Sequence, residues 1–463
     1  MTSELHYASL IEVSQLIRGR QVSSVEVTKA LLDRIEKLDG RLNSFLLVLP
    51  ERALADAERA DVEIASGQWR GPLHGVPIGL KDLLYTKGVP TTAGMAVHRN
   101  FIPDYDATAA ARLKLAGSVL IGKLHMTEGA TLNHHPSLPR PDNPWLSGHW
   151  TGVSSSGSGV APAAGLCYGA LGSDTGGSIR MPSAACGLSG IKPTWGRVSR
   201  RGVVALAETF DHIGPMARTV ADAAAILRVI AGADPDDPTA LPDPTPDYLA
   251  TLNGGIDGLI VGVDWAYATD GVDPVMAQAF EAAIATLESL GARIRPVTFP
   301  AVPQSESMAL LMAEVAAAHV ETFPARAADY GPRLAEMVTG GLAVSSVAVA
   351  QGNVARSVFA GALARVFEQV DVIATPTMPR AAPTWDEVDA MGAEGLAASL
   401  ARYTMAFCLS GSPTLSAPCG FDAKGLPLSL QLIGRHLTEE VLCRAGHAYQ
   451  AVTDWHTRRP AFA

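Results

Sequence analysis

Nowhere in the chain do eighteen apolar residues run together, so no segment has the length of a membrane-crossing helix. The opening MTSELHYASLIEVSQLIRGR carries Glu4 early and lacks the apolar centre of a signal peptide. A soluble, unexported, cytoplasmic protein with no membrane partner is expected. Basic residues are outnumbered, 36 against 46 acidic, and form no run, which leaves no basic face for nucleic acid. Cysteine is scarce: Cys167, Cys186, Cys408, Cys419 and Cys443 make no CxxC pair and no zinc ribbon, and are expected to be reduced and mostly buried. H-E-x-x-H is absent. His134 and His135, near His125 and His149, point different ways on any regular element and are expected to face solvent on a loop, so no metal site is expected. G-x-S-x-G is missing, and the nearest approach to a phosphate loop, Gly117 to Gly122-Lys123, ends in Leu124. Asp174-Thr175-Gly176 occurs once, whereas aspartic-protease chemistry needs two such carboxylates.

What the chain does have is an apolar majority over charge, 48 % against 18 %, which excludes a disordered chain. Its most unusual stretch is 151–195, TGVSSSGSGVAPAAGLCYGALGSDTGGSIRMPSAACGLSGIKPTW, where small residues displace nearly everything bulky. Glycine permits close approach, and successive N–H groups in glycine turns converge on anions. Ser178, behind Thr175-Gly176-Gly177, therefore reads as a nucleophile beside its own oxyanion hole. Ser154-Ser155-Ser156 lies upstream, Ser154 standing 24 residues before Ser178. Further upstream, Gly75-Val76-Pro77-Ile78-Gly79-Leu80-Lys81-Asp82 puts one lysine at the end of an apolar run, where burial holds an amine neutral. Asp174 and Arg180 flank the glycine turn and read as its hydrogen-bonding props. A Ser/His/Asp arrangement stays open, since His212 follows Asp211.

These stretches resemble the amidase signature family, whose pattern runs roughly GGSSGGS, about two dozen residues, then G-S/T-D-x-G-G-S-I-R-x-P. Gly172-Ser173-Asp174-Thr175-Gly176-Gly177-Ser178-Ile179-Arg180-Met181-Pro182 fits the second part throughout. The first part departs from it, Gly152-Val153 replacing Gly-Gly and Ser156 replacing the glycine after the serine pair. The likeness continues in Gly196-Arg197-Val198-Ser199, Asp211-His212-Ile213-Gly214-Pro215-Met216, Ala417-Pro418-Cys419-Gly420 and Gly425-Leu426-Pro427. It implies one α/β amidase domain over 1–463, a mixed central sheet of about eleven strands covered by helices. Within it lie an N-terminal helical segment (1–70), a catalytic core (71–220) and a helix-rich variable substrate region (300–370).

The resemblance also implies a catalytic set of Lys81, Ser154 with a cis peptide bond, and Ser178, an oxyanion hole around Thr175, Gly176 and Gly177, Ser155 as a supporting partner, and Ala130 on the acyl pocket. No cofactor is implied. The implied activity is hydrolysis of a carboxylic amide through an acyl-enzyme on Ser178, on a small-molecule amide or carbamate, with a homodimer left open. Carbamate or ester hydrolysis by the same residues is an alternative, as is the A subunit of a glutamine-dependent tRNA amidotransferase. A non-catalytic binding protein is the remaining reading.

Local patterns fill in the rest. Ser23-Ser24-Val25-Glu26 forms a capping box for a helix over 24–38, and Pro50 opens another over 50–64 after an extended run at 43–48. Strands are expected at 75–84, 118–122, 259–263, 293–299, 372–375, 414–417 and 428–433, and helices at 107–116, 220–231, 274–290, 308–320 and 438–452. The span 306–369 is helix-rich. Four prolines break 124–150 into a loop long enough to suggest function. Trp145 and Trp150 in it suit either a pocket wall or the core.

Overall fold

Ser23 and Glu26 close a reciprocal capping box, and the helix it starts, Ser24–Leu42, runs one turn beyond the expected end because Asn43, at φ 50°, closes it in the left-handed region. The same chemistry at Ser9 and Glu12 begins Leu10–Arg18, which buries Leu10, Val13 and Ile17 along one face. These elements belong to a computed structural model that describes residues 5–462. Glu4 lies outside them.

One eleven-stranded sheet organises the chain: β1 (Phe45–Val48), β2 (Pro77–Lys81), β3 (Val119–Leu124), β4 (Gly169–Asp174), β5 (Ser189–Lys192), β6 (His212–Ala217), β7 (Ile260–Val263), β8 (Arg293–Pro296), β9 (Val372–Pro376), β10 (Thr414–Phe421) and β11 (Pro427–Gly434). Their order is β1-β3-β2-β4-β6-β5-β10-β11-β9-β7-β8. β2 runs parallel to β3 and β4, while β4–β6 and β5–β10–β11–β9 are antiparallel, so the sheet is mixed as expected. Central strands such as β2 and β4 are buried at every position. A strand covered on both faces needs no polar alternation, which is why β4 and β5 hide in a run of small residues and β6, buried at every position, shows no alternation either. β8 at the edge exposes Arg293 and Arg295, charges that discourage further pairing.

The helix Ser156–Ala163 also escapes a propensity reading, since it contains Gly157, Gly159 and Pro162. Tertiary packing overrides propensity here. A Cβ on Gly157 would stand 2.2 Å from the Ser44 carbonyl oxygen, so only glycine lets this helix sit so close to the chain leading into β1. The expected strand over 293–299 ends early, at Pro296, where its neighbour β7 ends in register.

Between 304 and 367 the three longest helices lie together, Pro332–Leu342 and Ser346–Phe367 both packing on Gln304–His319. Polar ties hold them to the core: Thr209 N–H donates to Glu314, Arg356 donates to the Thr209 hydroxyl, and the Gly331 N–H donates to the Glu128 carboxylate. No single helix among the described residues is long and apolar enough to cross a membrane. Pro332–Leu342 and Ser346–Phe367 are long and apolar enough only when taken together, as a pair bent by 96°. The five cysteines are buried and free.

Candidate active site

Parallel pairing of Leu80 with Leu171 brings the carboxyl ends of β2 and β4 side by side, the usual place for a ligand site in such sheets. Lys81 ends β2, fully buried, and its Nζ bonds three hydroxyls: Ser154 Oγ at 2.6 Å, Ser173 Oγ at 2.8 Å and Ser155 Oγ at 2.9 Å. Burial drives the Lys81 amine well below its ordinary pKa, against the opposing pull of the Asp174 and Asp211 carboxylates. Two other lysines are as deeply buried, but Lys123 Nζ pairs with Asp82 and Lys192 Nζ bonds the Pro193 carbonyl. Lys81 alone of the three meets serines.

Ser155 is fixed as an acceptor toward Lys81, because its own proton goes to the Ser173 carbonyl and its oxygen also accepts the Ser173 N–H. Ser154 and Ser173 commit their hydroxyl protons to no other group among the described residues. A neutral amine has two protons and one lone pair, so one of these two serines can donate to it. Ser173 was not singled out from the sequence. The signal was there: on a strand, residues 171 and 173 share a face, and 171 is the one paired with the lysine strand. The peptide bond before Ser154 is trans, as are all those described, which corrects the expected cis form. The trans geometry, the low-energy one for a non-proline residue, already lets its hydroxyl reach Lys81.

Downstream of β4 the chain turns tightly around the Asp174 carboxylate. Asp174 accepts N–H bonds from Gly177 at 2.7 Å and Ile179 at 3.0 Å, and is gripped by Arg180 through Nε at 3.0 Å and a terminal nitrogen at 2.8 Å. Burial pushes this carboxyl up, but the Arg180 guanidinium, the Cys408 thiol and the Lys192 amine together outweigh it and hold the group far below the usual carboxylate range. Arg180 is anchored in turn to the Thr404 carbonyl and Gln431. Both residues thus act as the props expected of them. Gly177 sits at φ 136°, and a Cβ there would meet Met181 and Thr404 at 2.5 Å, so the turn requires glycine. Its N–H is committed to Asp174, which corrects the expectation that it faces an oxyanion. The N–H groups of Thr175, Gly176 and Ser178 are uncommitted among the described residues. Ser178 follows at the entrance to the helix Arg180–Cys186, and its hydroxyl likewise bonds no described group.

A second carboxylate stands behind the turn. Asp211 accepts the Thr175 hydroxyl at 2.5 Å and the N–H groups of Leu206 and Ala207 at 2.9 and 3.1 Å. Burial raises its pKa to about 6, against these donors and Arg200. His212 turns Nδ1 to the Phe210 and Asp174 carbonyls. A Ser/His/Asp set therefore does not assemble from Asp211 and His212. His134 is buried rather than solvent-facing, with Nε2 3.0 Å from Ser156 Oγ and its ring against His125, because the 124–150 loop folds back over the serine run. No group of three or more potential ligands among the described residues is arranged to hold a metal.

Ser178, Thr175 and Gly176 open onto a cavity of about 360 Å³ that Ala130, at φ 60°, also lines. Leu311, Met312, Arg333 and Met337 from the 304–342 helices form much of its far wall. Trp145 and Trp150 do not reach it: Trp150 is in the core, and Trp145 donates its indole N–H to the Cys186 carbonyl against Phe421.

The model of the family described as Amidase matches residues 26–443. The chain belongs to the amidase signature family. It is 49 % identical over 455 residues to a Mycobacterium tuberculosis protein named "Putative amidase AmiD", covering 97 % of this chain and 95 % of that one. It is 42 % identical to the A subunit of the glutamyl-tRNA(Gln) amidotransferase of a Roseiflexus species, covering 98 % of each. A solved structure of 6-aminohexanoate cyclic dimer hydrolase superposes with a TM-score of 0.90 at 28 % identity, over 98 % of this chain and 99 % of that one. The single α/β fold with its eleven-stranded mixed sheet is the fold of such enzymes.

Proposed function

We propose that the chain hydrolyses carboxylic amides through an acyl-enzyme on Ser178, with Ser154 and Lys81 as the proton relay. The observation that carries this reading is the Lys81 amine, buried, depressed in pKa and bonded to Ser154. Lys81 takes the Ser154 proton on its lone pair as Ser154 takes the proton of Ser178, and the Ser178 oxygen attacks the carbonyl carbon. Negative charge then develops on the carbonyl oxygen, where the free N–H groups of Thr175, Gly176 and Ser178 supply preorganised donors, each worth about 2.7–4 kcal/mol in such sites. As the intermediate collapses, the C–N bond breaks and the leaving nitrogen takes a proton from Ser154, which Lys81 restores. Water repeats the attack on the acyl-enzyme and releases the acid. Ser155 and Ser173 hold the amine in place, Asp174 and Arg180 hold the turn, and the sequence of steps calls for no cofactor.

Esters and carbamates present the same carbonyl to the same groups. A glutaminase role within a tRNA amidotransferase is a second reading, favoured by the 42 % identity to the A subunit of such an enzyme. A fluorophosphonate probe tests the nucleophile: labelling at Ser178 with parallel loss of amide hydrolysis is expected. Inactivation with the label found only on other residues overturns the assignment.

A further inference from the structure

The cavity that receives the substrate is built for hydrocarbon. Five of the twelve methionines of the chain, Met181, Met308, Met312, Met337 and Met405, line it. Thioether side chains are flexible and polarisable, fill irregular gaps and make favourable contacts with aromatic ring edges. Only two charged residues reach the lining, Arg333 and Glu336, one turn apart on Pro332–Leu342 and ion-paired to each other. Glu336 is largely exposed, which places the pair at the mouth. An ammonium or carboxylate drawn inside would lose its hydration with no free opposite charge to meet it. A volume of about 360 Å³ is near the lower end of the roughly 300–1,000 Å³ range of ligand pockets, so the guest is compact.

Geometry also says which half of the substrate lies there. The leaving nitrogen must face Ser154 to be protonated, whereas Ser178, Thr175 and Gly176 line the cavity and Lys81, Ser154 and Ser155 do not. The group inside is therefore on the acyl side of the scissile bond. Resting on the amide-hydrolase reading above, we infer that the substrate is a neutral amide whose acyl group is a compact, uncharged hydrocarbon, an aromatic ring above all, lodged among the methionines.

Ammonia release from primary amides tests this with one readout. Acetamide, butyramide, phenylacetamide and glutamine are compared, glutamine being butyramide with an ammonium and a carboxylate on its last carbon. Each buried methylene should raise kcat/KM about fourfold, so butyramide should exceed acetamide by roughly fifteenfold. Phenylacetamide should be best, and glutamine at least tenfold below butyramide. N-benzylacetamide, with the ring moved to the amine, releases benzylamine rather than ammonia and is compared with acetamide by the acetate that both release; it should gain nothing over acetamide, and Met312→Ala should cut the phenylacetamide-to-acetamide ratio at least threefold. Glutamine matching butyramide, a flat series, an unchanged ratio in Met312→Ala, or N-benzylacetamide outrunning phenylacetamide overturns the acyl-group assignment while leaving the hydrolase standing. No turnover of any amide removes the hydrolase reading itself.

Discussion

Replacing Lys81 by methionine isolates the physical cost of a buried base. The unfolded chain protonates a lysine below about 10.4, while the folded protein, with Lys81 fully buried, takes that proton only at a much lower pH. Between those two values the unfolded state binds one more proton, so folding stability rises with pH by about 1.4 kcal/mol per unit. Above the window the penalty vanishes, and below it the penalty is constant. Lys81→Met removes this contribution and leaves Lys123, Lys192 and the carboxylates in both proteins, so the difference between the two stability curves reports Lys81. A step of two pH units inside the window should favour the wild type by about 2.7 kcal/mol. With 463 residues and an unfolding entropy of about 2.1 cal/mol/K per residue, that is about 3 °C in Tm. Thermal unfolding of both proteins from pH 7 to 10 measures it. The curves should converge from the acid side as the wild type gains, and the pH at which they become parallel gives the folded-state pKa. The variant should lack turnover. Curves parallel over the whole range would mean an ammonium stays charged in the fold, and the proton relay would have to be abandoned.

Two further outcomes follow from the hydrogen bonds. Ser154→Ala should lower kcat by at least a hundredfold, and Ser155→Ala and Ser173→Ala by less, with the acid limb of kcat/KM shifted because each removes a partner of the Lys81 amine; steady-state kinetics across pH ranks them, and Ser173→Ala as the worst would move the relay to that serine. Arg180→Met leaves the Asp174 carboxylate buried without its charge partner and should cost about 3–5 kcal/mol, or about 3–5 °C in Tm; a loss under 1 °C contradicts the role given to the pair.

The chemistry was legible because its carriers are residue types that take their meaning from close neighbours in the chain. Gly177 is needed where φ reaches 136°, Asp174 lies three to six residues from the N–H groups it collects, and Ser23 lies three from Glu26. Local geometry of that kind is written in short motifs, and amphipathic helices such as Pro50–Ala65 are written in periodicity. Strands β4 to β6 and the helix Ser156–Ala163 were not legible, since elements buried on all sides show no polar alternation and draw their stability from neighbours rather than from propensity.

The sequence by itself determined the family, and it singled out Lys81, Ser154 and Ser178 as candidates and Asp174 and Arg180 as the residues flanking the glycine turn. Only the tertiary structure decided which donors are free. Whether the Gly177 N–H faces a ligand or the Asp174 carboxylate, whether His134 meets water or Ser156, and whether Ser173 joins the lysine all depend on which group happens to fill a given point in space. The same holds for the cavity, whose methionines come from positions as far apart as 181 and 405 and become one wall only when the sheet and the 304–342 helices close together. A hydrogen bond or a pocket wall is a statement about distance in three dimensions, and residues that far apart in the chain acquire that distance only by folding.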